Sequence, residues 1–188
     1  MNIIKQLCTA RAIKNRIADS RLRMYRVAVA WCRDTSLADD LVNESIAIAL
    51  EKYKQLKDPT RLDSWMYSIL NNCWRQYLRN RKQDDDIDSH TLRNTCCPEH
   101  VNLYSELAMK VFDLMEALPD GQRQTLSLIT LEGLSYREVA DSLDVPIGTV
   151  MSRLARARKF IDGQLTDEQP QRTSKQTSFN TTHIKRVK

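Results

Sequence analysis

At 188 residues the chain has room for one ordinary domain or two small ones, and its 4 Gly and 5 Pro are too few for the turn-dense sandwiches and barrels, so an all-α fold is expected. The 29 Lys and Arg against 24 Asp and Glu leave a net charge of +5, which suits a polyanionic partner. Five cysteines, Cys8, Cys32, Cys73, Cys96 and Cys97, form an odd set without Cys-x-x-Cys spacing, which points to a reducing cytoplasm and to neither a disulfide framework nor a common zinc module.

No apolar run approaches the ~20 residues that span a bilayer, and Lys5, Arg11 and Lys14 interrupt any export signal, so no membrane insertion is expected. Charge is unevenly distributed. Basic residues dominate Lys5 to Arg33, Arg75 to Lys82 and Arg153 to Lys159, while acids gather at Asp34 to Glu51 and Asp84 to Asp88. Separate faces of opposite sign can hold a nucleic acid and a protein at once.

In chain order, residues 1–20 read as an N-terminal extension, and Arg21 to Trp31 as the first helix of a domain spanning 21–82. A second helix is expected after Asp34, opened by the Ser36 and Asp39 pair and running to Lys54, with Leu37, Leu41, Val42, Ile48, Ala49 and Tyr53 as its apolar stripe. Pro59 breaks the pattern. From Leu62 a third helix is marked by Trp65, Met66, Ile69, Cys73 and Tyr77 and ends near Lys82. Residues 83–102, rich in Asp and lacking an apolar period, read as a flexible acidic linker. A second domain is expected over 103–162, beginning with the periodic run from Leu103 to Leu118 that Pro119 stops. Residues 163–188 read as a disordered basic tail.

The most specific pattern lies between Leu134 and Ile161. Ser135 and Glu138 form a capping-box pair, Val139, Ala140 and Leu143 supply a buried side, and Asp144-Val145-Pro146 makes a tight turn into a second helix at Ile147 or Gly148. Ile147, Val150, Leu154, Ala157 and Ile161 should face the core of this helix-turn-helix unit. Its opposite face carries Thr149, Ser152, Arg153, Arg156 and Lys159, with Arg158 beside them, and holds no acid between Pro146 and Phe160. A helix of ~15 residues, ~22 Å long, fits a major groove, where Arg reads guanine with two hydrogen bonds. A merely solvated charged face would not be expected to exclude acids so completely.

Leu118-Pro119-Asp120-Gly121-Gln122-Arg123, then Glu132 to Ala140, then Pro146 to Arg158 closely resemble the C-terminal domain of the extracytoplasmic function sigma factors, subunits of bacterial RNA polymerase. Ala38-Asp39-Asp40-Leu41-Val42-Asn43-Glu44-Ser45 resembles that family's polymerase-clamp helix, and Trp65 to Asn72 its helix for the minus-ten element. The matches cover about residues 20–162. The resemblance implies minus-thirty-five contacts from Thr149, Ser152, Arg153, Arg156, Arg158 and Lys159; minus-ten contacts from Asn71, Asn72, Arg75, Gln76 and Arg79; and core polymerase binding through Asp39, Asp40, Leu41 and Glu44. It also implies core RNA polymerase, duplex and melted promoter DNA and an anti-sigma factor as partners, with no cofactor, metal or enzymatic activity of the chain's own.

Met151 stands where many relatives carry Arg, and Ala155 where some carry a large side chain; both remove possible DNA contacts, which implies either an unusual sequence preference or a low affinity. Trp65, Tyr67, Trp74 and Tyr77 interleave with the polar minus-ten residues, but amphipathic helices usually bury aromatics, so Trp65, Ile69 and Tyr77 are assigned to the core. The Asp58 to Asp63 loop is a candidate to hold a flipped base.

Two other functions compete with promoter recognition through polymerase. A stand-alone helix-turn-helix regulator would bind duplex DNA as a dimer without polymerase. A metal or thiol sensor would use His90, Cys96, Cys97 and His100, but adjacent cysteines fit poorly around one tetrahedral zinc. No phosphate loop or nucleophile motif supports catalysis.

Overall fold

The computed structural model describes residues 3–56, 58–84 and 113–167, and all the regular elements among them are helical. Four helices, α1 (Ile3–Asp19), α2 (Arg21–Cys32), α3 (Thr35–Lys52) and α4 (Leu62–Asp84), form the N-terminal bundle. Three more, α5 (Asp120–Thr130), α6 (Tyr136–Leu143) and α7 (Ile147–Asp167), form the C-terminal one.

In the first bundle Met24, Val27, Trp31, Ala38, Val42, Leu62, Met66 and Leu70 are buried and meet in one core. The stretch set apart as an extension belongs to that core. In α1, Ile13 and Ile17 lie one turn apart and are buried, with the helix packed on α3, while the Lys14 ammonium sits 5.1 Å above the Tyr53 ring and Arg16 donates to the Pro59 carbonyl at 3.0 Å. Two isoleucines among many charges make too narrow a stripe to stand out in the sequence.

The caps also differ from expectation. Arg33 ends α2 in the left-handed region at φ 55°, and Asp34, in extended conformation, caps α3 by accepting from the Leu37 N–H at 3.0 Å. Ser36 is therefore inside the helix and exposed, and Asp39 pairs with Arg21 at 2.9 Å rather than closing a capping box. Asp34 in the extended conformation satisfies a first-turn amide, so the helix starts at Thr35, two residues earlier than a Ser36 cap would allow. Helix α3 stops at Lys52, two residues short of Lys54, and continues as a 3-10 turn over Tyr53–Gln55. A second such turn, Pro59–Arg61, is capped by Asp58, whose carboxylate accepts from the Thr60 N–H and hydroxyl at 2.9 and 2.7 Å. It leads directly into α4, which runs two residues past Lys82.

In the second bundle residues 113–116 are helical, Met115 and Leu118 are buried, and Pro119 ends that segment and starts α5. Leu128, Val139, Leu143, Val150, Leu154 and Ala157 form its core. The α7 stripe is buried only in its middle: Val150, Leu154 and Ala157 are buried, whereas Ile147 is 50% exposed and Ile161 half-buried. Helix α7 continues to Asp167, through the first residues assigned to the tail. Most of the linker, the run from Leu103 to Phe112, the tail after Asp167 and the set His90, Cys96, Cys97 and His100 lie outside the described residues.

The two bundles touch. Helix α6 packs along α4, and α5 packs against α2.

Candidate nucleic-acid interface

Helices α6 and α7 are held in the helix-turn-helix arrangement by local chemistry. The Ser135 hydroxyl accepts from the Glu138 N–H at 3.3 Å, while the Glu138 carboxylate accepts from the Ser135 N–H at 2.8 Å and from its hydroxyl at 2.6 Å. Asp144 ends α6 in the left-handed region at φ 53°, turning the chain toward Pro146 and α7. Hydrogen bonds from the Ser135 side chain and backbone hold the Glu138 carboxyl below the usual carboxylate range. A lowered folded value stabilises the fold above the unfolded pKa of about 4.3, and that contribution is lost as pH falls through the folded value. Replacing Ser135 by Ala is expected to cost about 1 kcal/mol in thermal unfolding at pH 7. Glu138→Gln should likewise lower the melting temperature at pH 7, and its gap from the parent should close as pH falls through the lowered folded value.

On α7, Arg156, Arg158 and Lys159 are exposed, Thr149, Ser152 and Arg153 half-buried, and Met151 and Ala155 exposed among them. Arg153 lies across the first turn of α5, where a Cβ added at Gly121 would stand 2.8 Å from its Cζ. Gly121 thus leaves room for the guanidinium. Gly121→Ala should preserve or slightly raise helix stability, since Ala exceeds Gly by about 1 kcal/mol in helices, while displacing Arg153. A several-fold loss of duplex affinity with an unchanged melting temperature would show this.

On α4, Asn72, Arg75, Gln76 and Arg79 are exposed, and Asn71 is only 1% exposed. Asn71 faces the C-terminal bundle: its Nδ2 donates to the Ser142 carbonyl at 3.4 Å and its Oδ1 accepts from Gln124 at 3.3 Å. Arg75 donates to the Leu143 carbonyl at 2.8 Å. Tyr67 and Trp74, read as interleaved stacking planes, are buried, and Trp74 stacks on Tyr77 with ring centroids 5.7 Å apart. Ile69 is buried as expected, whereas Trp65 is half-exposed and forms one wall of a cavity of about 310 Å³. Leu56, Asp58, Arg61 and Ser68 line the rest, with Asp141 reaching in from α6. Asp141 pairs with Arg61 there. Sequence reasoning placed the Asp58 to Asp63 loop near such a pocket but missed Arg61 as its cation. It also missed Arg23, Glu132 and Ser142, whose partners lie across the chain.

On α3, Asp40, Glu44 and Glu51 form an exposed acidic side. Asp39 is half-buried and spent on Arg21, and Leu41, expected at the polymerase surface, is 3% exposed and belongs to the core. It sits one turn from Ala38 and Ser45 on the face that packs inward. Cys32 and Cys73 are not activated: burial pushes the Cys32 thiol up to about 11 and raises that of Cys73. Among the described residues no cluster of His, Cys, Asp and Glu could hold a metal, and no helix is long and apolar enough to cross a membrane.

Two helical units, the second a helix-turn-helix with a basic outer face, define a class of promoter-reading transcription factor. The model of sigma-70 region 2 matches residues 10–83, and that of sigma-70 region 4 matches residues 108–161. The chain is 34% identical over 139 residues to the ECF RNA polymerase sigma-E factor of Haemophilus influenzae, covering 67% of this chain and 73% of that protein. It is 33% identical over 138 residues to the sigma-E factor of Escherichia coli K12, covering 67% and 72%. Among solved structures, its fold is similar to the sigma factor RpoE of Bartonella quintana in complex with the anti-sigma factor NepR, with TM-score 0.71 and 21% identity over 85% of this chain and 99% of that one. It is also similar to CnrH in complex with the cytosolic domain of CnrY, with TM-score 0.62 and 22% identity over 85% and 90%. The chain belongs to the extracytoplasmic function sigma factors of RNA polymerase. It is an initiation factor rather than an enzyme, and the stand-alone regulator gives way to that assignment.

Proposed function

We propose that this sigma factor acts in the cytoplasm, binding core RNA polymerase through the acidic side of α3 and reading the minus-thirty-five element as duplex with the outer face of α7. The solvent side of α4 then captures the melted minus-ten strand. The observation that carries this is α7: Thr149, Ser152, Arg153, Arg156 and Lys159 share the outer side of one helix, with Arg158 beside them, entered by a capped turn and free of acids up to Phe160. Thr149 and Ser152 near its start suit phosphates, which set register, and the arginines suit base edges.

For the melted strand, unstacking a base costs a few kcal/mol, offset by a pocket and a stacking surface. The cavity beside α4 supplies both, with Trp65 as a wall, Arg61 for a phosphate, and the Asp58-capped turn as a rigid rim. Asn72, Arg75, Gln76 and Arg79 continue the path along α4. The α3 carboxylates Asp40 and Glu44 suit a basic protein surface, and regulation by an anti-sigma factor is proposed on the likeness to RpoE bound to NepR.

The test is co-elution with purified core RNA polymerase. The parent chain should elute with core, and the charge reversal Asp40→Lys with Glu44→Lys should abolish this with helicity unchanged. Co-elution that survives the reversal would remove α3 from the polymerase contact.

A further inference from the structure

Two large apolar side chains stand in water on the helix proposed to enter the groove. Ile147 is 50% exposed and Met151 54% exposed, one turn apart at the start of α7. Among the described residues the other exposed large apolar side chains, Leu22, Leu50, Leu131 and Tyr136, stand apart on α2, α3, the end of α5 and α6. Isolated apolar residues on a surface call for no explanation. Ile147 and Met151 differ because their row continues: Ala155, the next residue at four-residue spacing, is also exposed. The three make an apolar row ~12 Å long at ~1.5 Å per residue.

Helical periodicity sets this row on one side of the outer face and Thr149, Arg153 and Arg156 on the other, with Ser152 and Lys159 between them. Arg158 and Lys159 follow Ala155 one turn on, and no acid lies between Pro146 and Phe160, so four cations border the row. That border selects the occupant. An apolar patch on a protein would strip water from these cations unless it brought carboxylates of its own. A DNA major groove brings phosphates along both walls for the cations and, on its floor, the C5-methyl groups of thymine for the apolar side chains. Guanine in the same place would press its O6 and N7 acceptors against carbon and leave them unpaired. The unbranched, polarizable methionine side chain adapts readily to a methyl group.

We propose that Ile147 and Met151 read thymine by its methyl group, so that this factor requires A·T pairs where α7 enters the groove. The two residues are ~6 Å apart along the helix and a base-pair step rises ~3.4 Å, which places the required thymines within about two base pairs of each other. This deepens the minus-thirty-five reading of α7 and rests on it.

The test uses the factor bound to core RNA polymerase and a fluorescent duplex carrying the minus-thirty-five element of a promoter mapped by run-off transcription. Each thymine of the element is replaced in turn by deoxyuridine, which removes the methyl group and leaves the pairing edge intact. At one or two neighbouring positions the parent is expected to lose about fourfold in affinity, the worth of one buried carbon. Met151→Ala and Ile147→Ala, at exposed positions, should keep the parent's melting temperature and salt slope, since they release no counterion. Each should bind the thymine duplex a few-fold more weakly and lose its sensitivity to uracil at one position. Arg156→Ala should keep that sensitivity in full. Met151→Arg should accept a G·C pair where Met151 requires A·T.

Uracil at every thymine without effect on the parent, while alanine at Arg153 and Arg156 still weakens the cognate duplex, would overturn the methyl reading and leave the assignment of α7 standing. So would uracil effects that survive in both alanine variants, or alanine variants that lose a contact with core or with a second copy at unchanged duplex affinity. Duplex affinity indifferent to uracil and to the arginine substitutions alike would overturn the methyl reading together with the assignment of α7 to duplex.

Discussion

Alanine at both Arg153 and Arg156 is expected to weaken binding to minus-thirty-five duplex by about 30-fold or more. Each arginine that reads a base edge with two hydrogen bonds discriminates by about 1–3 kcal/mol, and two on one helix face approach additivity when they reach different base pairs. The loss should be confined to the cognate sequence, with weak affinity for unrelated duplex reduced much less. Lys159→Ala should behave differently, weakening all duplexes alike and lowering the salt slope by about one, because an ammonium acts on phosphates as a point charge. Titrations of polymerase-bound factor against cognate and scrambled duplex, at two salt concentrations, check both. Equal losses on both duplexes for the arginine pair would place α7 on the backbone rather than in the groove.

The other large effect is on the scaffold. Trp31 is 1% exposed in the core shared by α2, α3 and α4, and Trp31→Ala is expected to cost about 3–5 kcal/mol through lost burial and a cavity. For a chain of this size that is a fall of about 6–20 °C in the midpoint followed by circular dichroism. Trp31→Phe should cost far less than the Ala change. The indole N–H is buried without a hydrogen bond, so removing it also removes an unsatisfied donor, which offsets part of the smaller ring's lost contacts. A phenylalanine variant as unstable as the alanine one would mean that the N–H has a partner, a buried water for example.

Much of this fold is legible in the sequence wherever one signal dominates. The Ser135 and Glu138 box, the Asp144 to Pro146 turn and the middle of the α7 stripe, Val150, Leu154 and Ala157, are local patterns, and each is present in the structure. The Pro59 and Pro119 breaks stand where expected. What escaped depends on partners distant in sequence. Ile13 and Ile17 become core residues only because α3 and Tyr53 lie beneath them. Leu41 belongs to a motif that resembles a polymerase-binding helix, yet its own side chain points inward, since a motif mixes buried and exposed positions at helical spacing. Ser36 looks like a cap, but Asp34 holds the extended conformation that a cap needs.

The surface proposed for the minus-ten strand shows the same division. Its cations are local and were found along α4, whereas the cavity beside them combines residues from the turn before α4, from α4 and from α6. Glu132 lies within a stretch that identifies the family, but nothing around it in sequence announces a carboxylate buried against Arg23 of the other bundle. Separations of that kind, 109 residues for this pair, are set by tertiary packing and carry no periodic trace.

The central claim, that this chain directs polymerase to promoters of its own, is tested most directly by run-off transcription with purified core RNA polymerase on a pool of genomic promoter fragments, with and without the protein. Transcripts from discrete start sites that appear only with the chain, each preceded by a shared pair of upstream elements, are the predicted result. No protein-dependent transcript, with the chain alone shifting duplex DNA, would contradict it.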